Sequence, residues 1–85
     1  MLYTLIYHKQ TVEDKLKLKA SKLLVKANKI CAALSVNPTP SNSKQLYRDL
    51  KGKRSIRINL QHRLVYEVVE EEKTVKVLSM WGHYD

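Results

Sequence analysis

Residues 37–43 read Asn-Pro-Thr-Pro-Ser-Asn-Ser, and the hydrophobic repeat changes from one side of this segment to the other. From residue 12 up to it, apolar residues recur every three or four positions, the spacing of a helix face. After it they alternate every second position, the spacing of a half-buried strand. Proline lacks an N–H, fixes its own φ and pushes the residue before it out of helical space, so no helix passes Pro38 and Pro40. A chain that carries both periods in this way combines helices with strands. It predicts an α+β fold in which helices pack on one face of a mostly antiparallel sheet.

The elements follow from that switch. Residues 2–8 are rich in β-formers (Leu2, Tyr3, Thr4, Leu5, Ile6, Tyr7) and predict an N-terminal strand. Thr11 and Asp14 have the spacing of a capping box. Val12, Leu16, Ala20, Leu23, Ala27, Ile30 and Leu34 then predict helix over 12–35, with Leu24 and Cys31 widening the stripe. Ser21 is a second candidate cap, so one long helix and a hairpin broken near 19–21 both fit. Residues 44–50 predict a short turn or helical piece before Gly52. Residues 55–60 predict a strand with Ile56 and Ile58 inward and Ser55, Arg57 and Asn59 outward. After a tight connection at Gln61-His62, residues 63–69 and 74–81 complete a three-stranded antiparallel meander around the polar turn 70–73. The expectation is one domain, residues 1–85.

Composition bounds the chemistry. Sixteen Lys+Arg against eight Asp+Glu give a net charge of +8. The surplus is uneven: residues 9–63 hold 14 basic residues against 3 acids, whereas residues 64–85 hold 2 against 5. Such a field attracts polyanions, nucleic acid first, although a row such as Lys15, Lys19, Lys22, Lys26 and Lys29 is also what a solvated helix face looks like. The lone Cys31 lies on the apolar stripe and reads as a small core residue, which excludes a disulfide or a cysteine zinc cage. His8, His62 and His83 lack metal-ligand spacing, and two glycines leave no phosphate loop, so neither metal nor cofactor is expected. No apolar run is long enough for a bilayer and the start lacks a basic signal region, so the expected setting is cytoplasmic, without membrane. On residues alone, Arg57 and Arg63 beside the hairpin read first as solvated strand residues and second as a phosphate clamp, and His83 is a terminal residue.

Leu50-Lys51-Gly52, Arg57-Ile58-Asn59, His62-Arg63-Leu64-Val65-Tyr66 and the ending Trp81-Gly82-His83-Tyr84 together resemble the RelE/ParE superfamily of toxins from type II toxin–antitoxin systems, within it the YoeB/Txe branch. The resemblance covers nearly the whole chain and implies a RelE-like microbial ribonuclease fold. It implies a metal-free, ribosome-dependent endoribonuclease that cuts mRNA by attack of the 2′-hydroxyl. It puts phosphate stabilisation on Arg63 with Arg57 nearby, proton donation on His83 and substrate holding on Tyr84. Lys44, Lys51, Lys53 and Arg54 are then candidates for contacts to RNA. His62 reads as a structural residue of the strand turn, and Trp81 as a core or hairpin anchor. Implied partners are an acidic antitoxin, the ribosome with its mRNA, and a second copy in a homodimer.

One position departs from the branch. Where YoeB-like toxins carry a glutamate as general base, this chain has Lys44. Three alternatives stay open: a lysine base, cleavage that leans on charge stabilisation and alignment by the ribosome, or impaired catalysis. Two rival functions stand beside the nuclease. One is a ParE-like inhibitor of DNA gyrase, and the other is an RNA-binding member without catalysis.

Overall fold

A computed structural model describes residues 2–82, and it divides the helical stretch into α1 (Gln10–Ala20) and α2 (Leu24–Val36). The break is a Schellman turn. Lys22 sits at φ 61°, Leu23 N–H donates to Leu18 O at 2.8 Å, and Lys22 N–H donates to Lys19 O at 3.1 Å. This conformation normally goes to glycine because a Cβ crowds the backbone there.

The turn also resets the phase of the apolar stripe. Val12 and Leu16, expected inward, are 64% and 67% exposed, while Thr11, Asp14 and Leu18 are the buried residues of α1. The stripe holds in α2, where Ala27, Cys31 and Leu34 are buried. The capping box does not form. Thr11 Oγ1 donates to His8 O at 2.6 Å, and the buried Asp14 carboxylate accepts the Met80 N–H at 2.9 Å, across 66 residues of chain. A tertiary donor has displaced the local one.

Five strands form one sheet in the order β1-β5-β4-β3-β2. They are β1 (Thr4–Tyr7), β2 (Ser43–Gln45), β3 (Lys53–Arg57), β4 (Arg63–Val69) and β5 (Thr74–Ser79). β1 runs parallel to β5, and every other pairing is antiparallel. The meander is as expected, but it gains β2 as an edge strand where a turn or helical piece was expected, with a 3-10 turn (Arg48–Leu50) following. β3 stops at Arg57 and β5 at Ser79, each short of its expected end.

The helices cover one face of the sheet. Leu18, Ala27, Cys31 and Leu34 meet Ile56, Leu64, Tyr66, Val75 and Val77 in a single core, joined by Ile58 and Met80 from beyond the strand ends. Tyr66 is fully buried and its hydroxyl donates to Pro38 O at 2.7 Å, which ties the proline segment to the sheet centre. The Tyr7 hydroxyl lies against the Cys31 thiol. Burial first, then that neighbour, pushes the tyrosine up to about 12, and burial raises the thiol as well. Cys31 is therefore a protonated core thiol, not a nucleophile. Among the described residues no helix is long and apolar enough to cross a membrane.

Candidate functional site

The face of the sheet turned away from the helices is built from the alternate residues of the same strands. In β3 these are Lys53, Ser55 and Arg57, and in β4 they are Arg63, Val65 and Glu67. Their register is direct: Arg57 faces Arg63, Ser55 faces Val65, and across the edge Lys44 faces Ser55. The chain from Leu46 through the 3-10 turn walls this face, so β3 is covered on both sides. Ser55, expected outward, is consequently 1% exposed.

Two hollows meet on this surface, and Lys44 and Arg63 line both. The larger, about 500 Å³, is walled by Tyr47, Arg48 and Leu50 and floored by Ser55. The smaller, about 250 Å³, adds Asn42 and Arg57. Arg48 adopts φ 61°, a left-handed conformation that costs a non-glycine residue stability and is kept here at the rim of the larger hollow.

The electrostatics of the site are one-sided. Arg57 and Arg63 are cross-strand partners, an arrangement that repels unless an anion lies between them. Among the described residues the one ion pair is Lys73 with Glu70, away from these hollows, and no acid lines either hollow. Glu70 also accepts from the Tyr3 hydroxyl at 2.7 Å, and these partners, Lys73 first, hold its carboxyl below the ordinary range. Within the site, Arg63 Nε is buried and unpartnered, as is Ser55 Oγ. A buried donor without an acceptor is costly.

The residues singled out from the sequence thus separate. Arg57, Arg63 and Lys44 come together. Lys53 stands farther along the same face, at a third hollow of about 290 Å³ with His8, Leu50 and Ser79. Arg54 lies on the opposite face, where its guanidinium donates to Ser43 Oγ at 3.1 and 2.8 Å. Lys51 borders another hollow, of about 480 Å³, which Lys53 and Arg54 also line together with Gly52 and Glu70. His83 and Tyr84 lie outside the described residues. No three His, Cys, Asp or Glu side chains converge among the described residues.

Sequence reasoning missed Asn42, Tyr47, Arg48 and Ser55. Three of these come from the irregular approach to β3, where no period marks a face. Ser55 was readable only had both faces of its strand been known to be covered.

The sequence over residues 4–84 matches the family described as the ParE toxin of the type II toxin–antitoxin system parDE. Among solved structures the fold is similar to a YoeB/ParE toxin from Agrobacterium tumefaciens, with a TM-score of 0.85 and 22% identity over 95% of this chain and 99% of that one. It is similar also to a YoeB dimer from Staphylococcus aureus, with a TM-score of 0.80 and 27% identity over 99% of this chain and 100% of that one. The toxin–antitoxin complex RelBE2 from Mycobacterium tuberculosis gives a TM-score of 0.81 and 27% identity over 98% and 100% of the two chains. No curated protein sequence matches.

Proposed function

The chain belongs to the family of ParE toxins of type II toxin–antitoxin systems, and on that premise we propose that it is a ribosome-dependent endoribonuclease acting on mRNA. The observation that carries this reading is the unpartnered, buried Nε of Arg63, set opposite Arg57 and beside Lys44 in a hollow lined by no acid. Such a surface is complementary to a phosphate gaining negative charge.

In the proposed reaction the 2′-oxygen attacks the adjacent phosphorus and the bond from phosphorus to the 5′-oxygen breaks. The products are a 2′,3′-cyclic phosphate and a free 5′-hydroxyl. Only RNA has that nucleophile. Arg63 and Arg57 bind the non-bridging oxygens and stabilise the pentavalent state. Lys44 is the amine placed at the same hollow and is the candidate acceptor for the 2′-hydroxyl proton. His83 gives a proton to the leaving 5′-oxygen, and Tyr84 holds the nucleotide, roles that rest on the family resemblance. The RelBE2 complex supports a protein antitoxin as partner, and the Staphylococcus aureus dimer supports self-association.

Primer extension on mRNA from a translating extract tests the proposal. Discrete cuts are expected with the parent chain, reduced about 100-fold or more by Arg63→Ala, the order seen when one transition-state donor is removed. The family's description as ParE favours a second reading, inhibition of DNA gyrase. Loss of supercoiling by purified gyrase, with no mRNA cuts, would establish that reading instead.

A further inference from the structure

β5 ends at Ser79, yet each of the three residues after it is fastened. Met80 N–H donates to Asp14 Oδ2 at 2.9 Å. The Trp81 ring stacks on His62, centroids 3.7 Å apart and planes inclined by 21°. Gly82 N–H donates to His62 Nδ1 at 3.1 Å, and Gly82 O accepts the Arg63 N–H at 2.9 Å. Gly82 lies at φ 103°, a conformation other residues rarely adopt.

The other half of this clamp is equally fixed. Asn59 Oδ1 accepts the N–H groups of Gln61 and His62 at 2.9 and 2.7 Å, an Asx turn that closes the β3–β4 connection. Ile58 N–H donates to His62 O at 2.9 Å. The backbone under the imidazole is thus set by its own turn before the ring meets the C-terminal segment. For Nδ1 to accept, the ring's own hydrogen sits on Nε2.

We infer that His62 is a positioning residue, whose Nδ1 and ring face hold Trp81 and Gly82 against the backbone of Arg63 and so set where the chain leaves toward His83. His62 touches neither of the hollows that Arg63 lines; it acts through the segment it holds. The inference rests on the nuclease reading for its consequence in catalysis, and on the contacts above for the clamp itself. It explains why a histidine, and not another polar turn residue, precedes Arg63: the role needs a flat apolar face and an in-plane acceptor on one side chain.

Three substitutions separate these features. His62→Phe keeps a ring for Trp81 and removes the acceptor. His62→Asn places an amide oxygen near the position of Nδ1, and His62→Gln carries it one bond farther out. The first readout is amide hydrogen exchange of the full chain by NMR, without RNA. Exchange at Gly82 is expected to accelerate about 10-fold or more in His62→Phe and His62→Gln, to stay near the parent rate in His62→Asn, and to leave Met80 protected in all three. The second readout is mRNA cleavage. A fall of about 10- to 100-fold in kcat with little change in KM is expected for His62→Phe, partly restored in His62→Asn, because a small misplacement of a reacting group costs that much. Trp81 is the single tryptophan of the chain, and its fluorescence reports whether stacking survives each change.

Unchanged Gly82 exchange in His62→Phe would overturn the clamp, as would His62→Asn behaving like His62→Phe. Lost Gly82 protection with undiminished cleavage would overturn the positioning role. If the parent chain cuts no mRNA, the nuclease reading fails, and the exchange measurements alone then uphold or overturn the clamp.

Discussion

Lys22 shows how one residue can divide an element. It occupies the left-handed position of a Schellman turn, where L-residues other than glycine and asparagine are disfavoured by about 1–2 kcal/mol. The exposed side chain makes no hydrogen bond among the described residues that would repay this. Lys22→Gly is therefore expected to stabilise the fold by about 0.5–1 kcal/mol, part of the relief being returned as glycine's greater freedom when unfolded. A urea titration measures it, and a midpoint at or below that of the parent would contradict the assignment of strain. Asp14 makes the complementary point. Its spacing from Thr11 satisfied a local rule, yet its carboxylate serves Met80, because a buried backbone N–H at a strand end has few other acceptors. Ser55 and Arg63 are, with Ser79, the described residues whose side chains leave a buried polar atom unsatisfied. Ser55 and Arg63 line the same hollow.

At the level of elements, the proline segment has two jobs. It ends α2, as the sequence requires, and it brings the chain round to β2, which widens the sheet by one edge strand. The Tyr66 hydroxyl holds this segment by Pro38 O, at the centre of the core. Tyr66→Phe leaves that carbonyl without its donor and is expected to cost about 1–3 kcal/mol. Thermal melting of the two chains is the measurement, and equal melting temperatures would show that the bond is dispensable. The strands other than β2 were legible from period two, because residues alternate between faces whatever the sequence context; β2, three residues long, is too short to show a period. The strand ends were not legible. β3 stops at Arg57 although Ile58 continues the pattern, since Ile58 is buried by the core beyond the last paired residue. The helical stripe was legible in α2 and misleading in α1, where the Schellman turn rotates the face that the sheet sees.

Across the whole molecule the basic charge falls on two sides. The helix lysines lie on one side of the sheet, and Lys44, Arg57 and Arg63 lie on the other. The total of +8 treats these as one field, whereas a short RNA strand can occupy only one of them. Binding of a short single-stranded RNA is expected to weaken with salt, and Lys44→Gln should reduce the log–log slope by roughly 0.7, the value of one phosphate contact on a single strand. Lys29→Gln, a helix variant, should leave the slope unchanged. The reverse result from filter binding would place the RNA on the helix face. The same surface of unpaired cations suits the acidic antitoxin implied by the resemblance, which would compete with RNA for it.

The sequence by itself determined the N-terminal strand, the helical stretch and the three-stranded meander, the α+β class, the core thiol of Cys31 and the family, because periods, breakers and motif spacing are properties of neighbouring residues. It also brought Arg57 and Arg63 together, since a tight hairpin pairs the residues at its base. Only the tertiary structure decided which cations share a surface. Lys44 joins the arginines because β2 pairs with β3, whereas Arg54 is turned to the other face by the alternation of its own strand. Only the tertiary structure, too, showed Asp14 and His62 fastening the segment after β5. Those contacts join residues 66 and 20 positions apart in the chain, a separation across which no local pattern carries information.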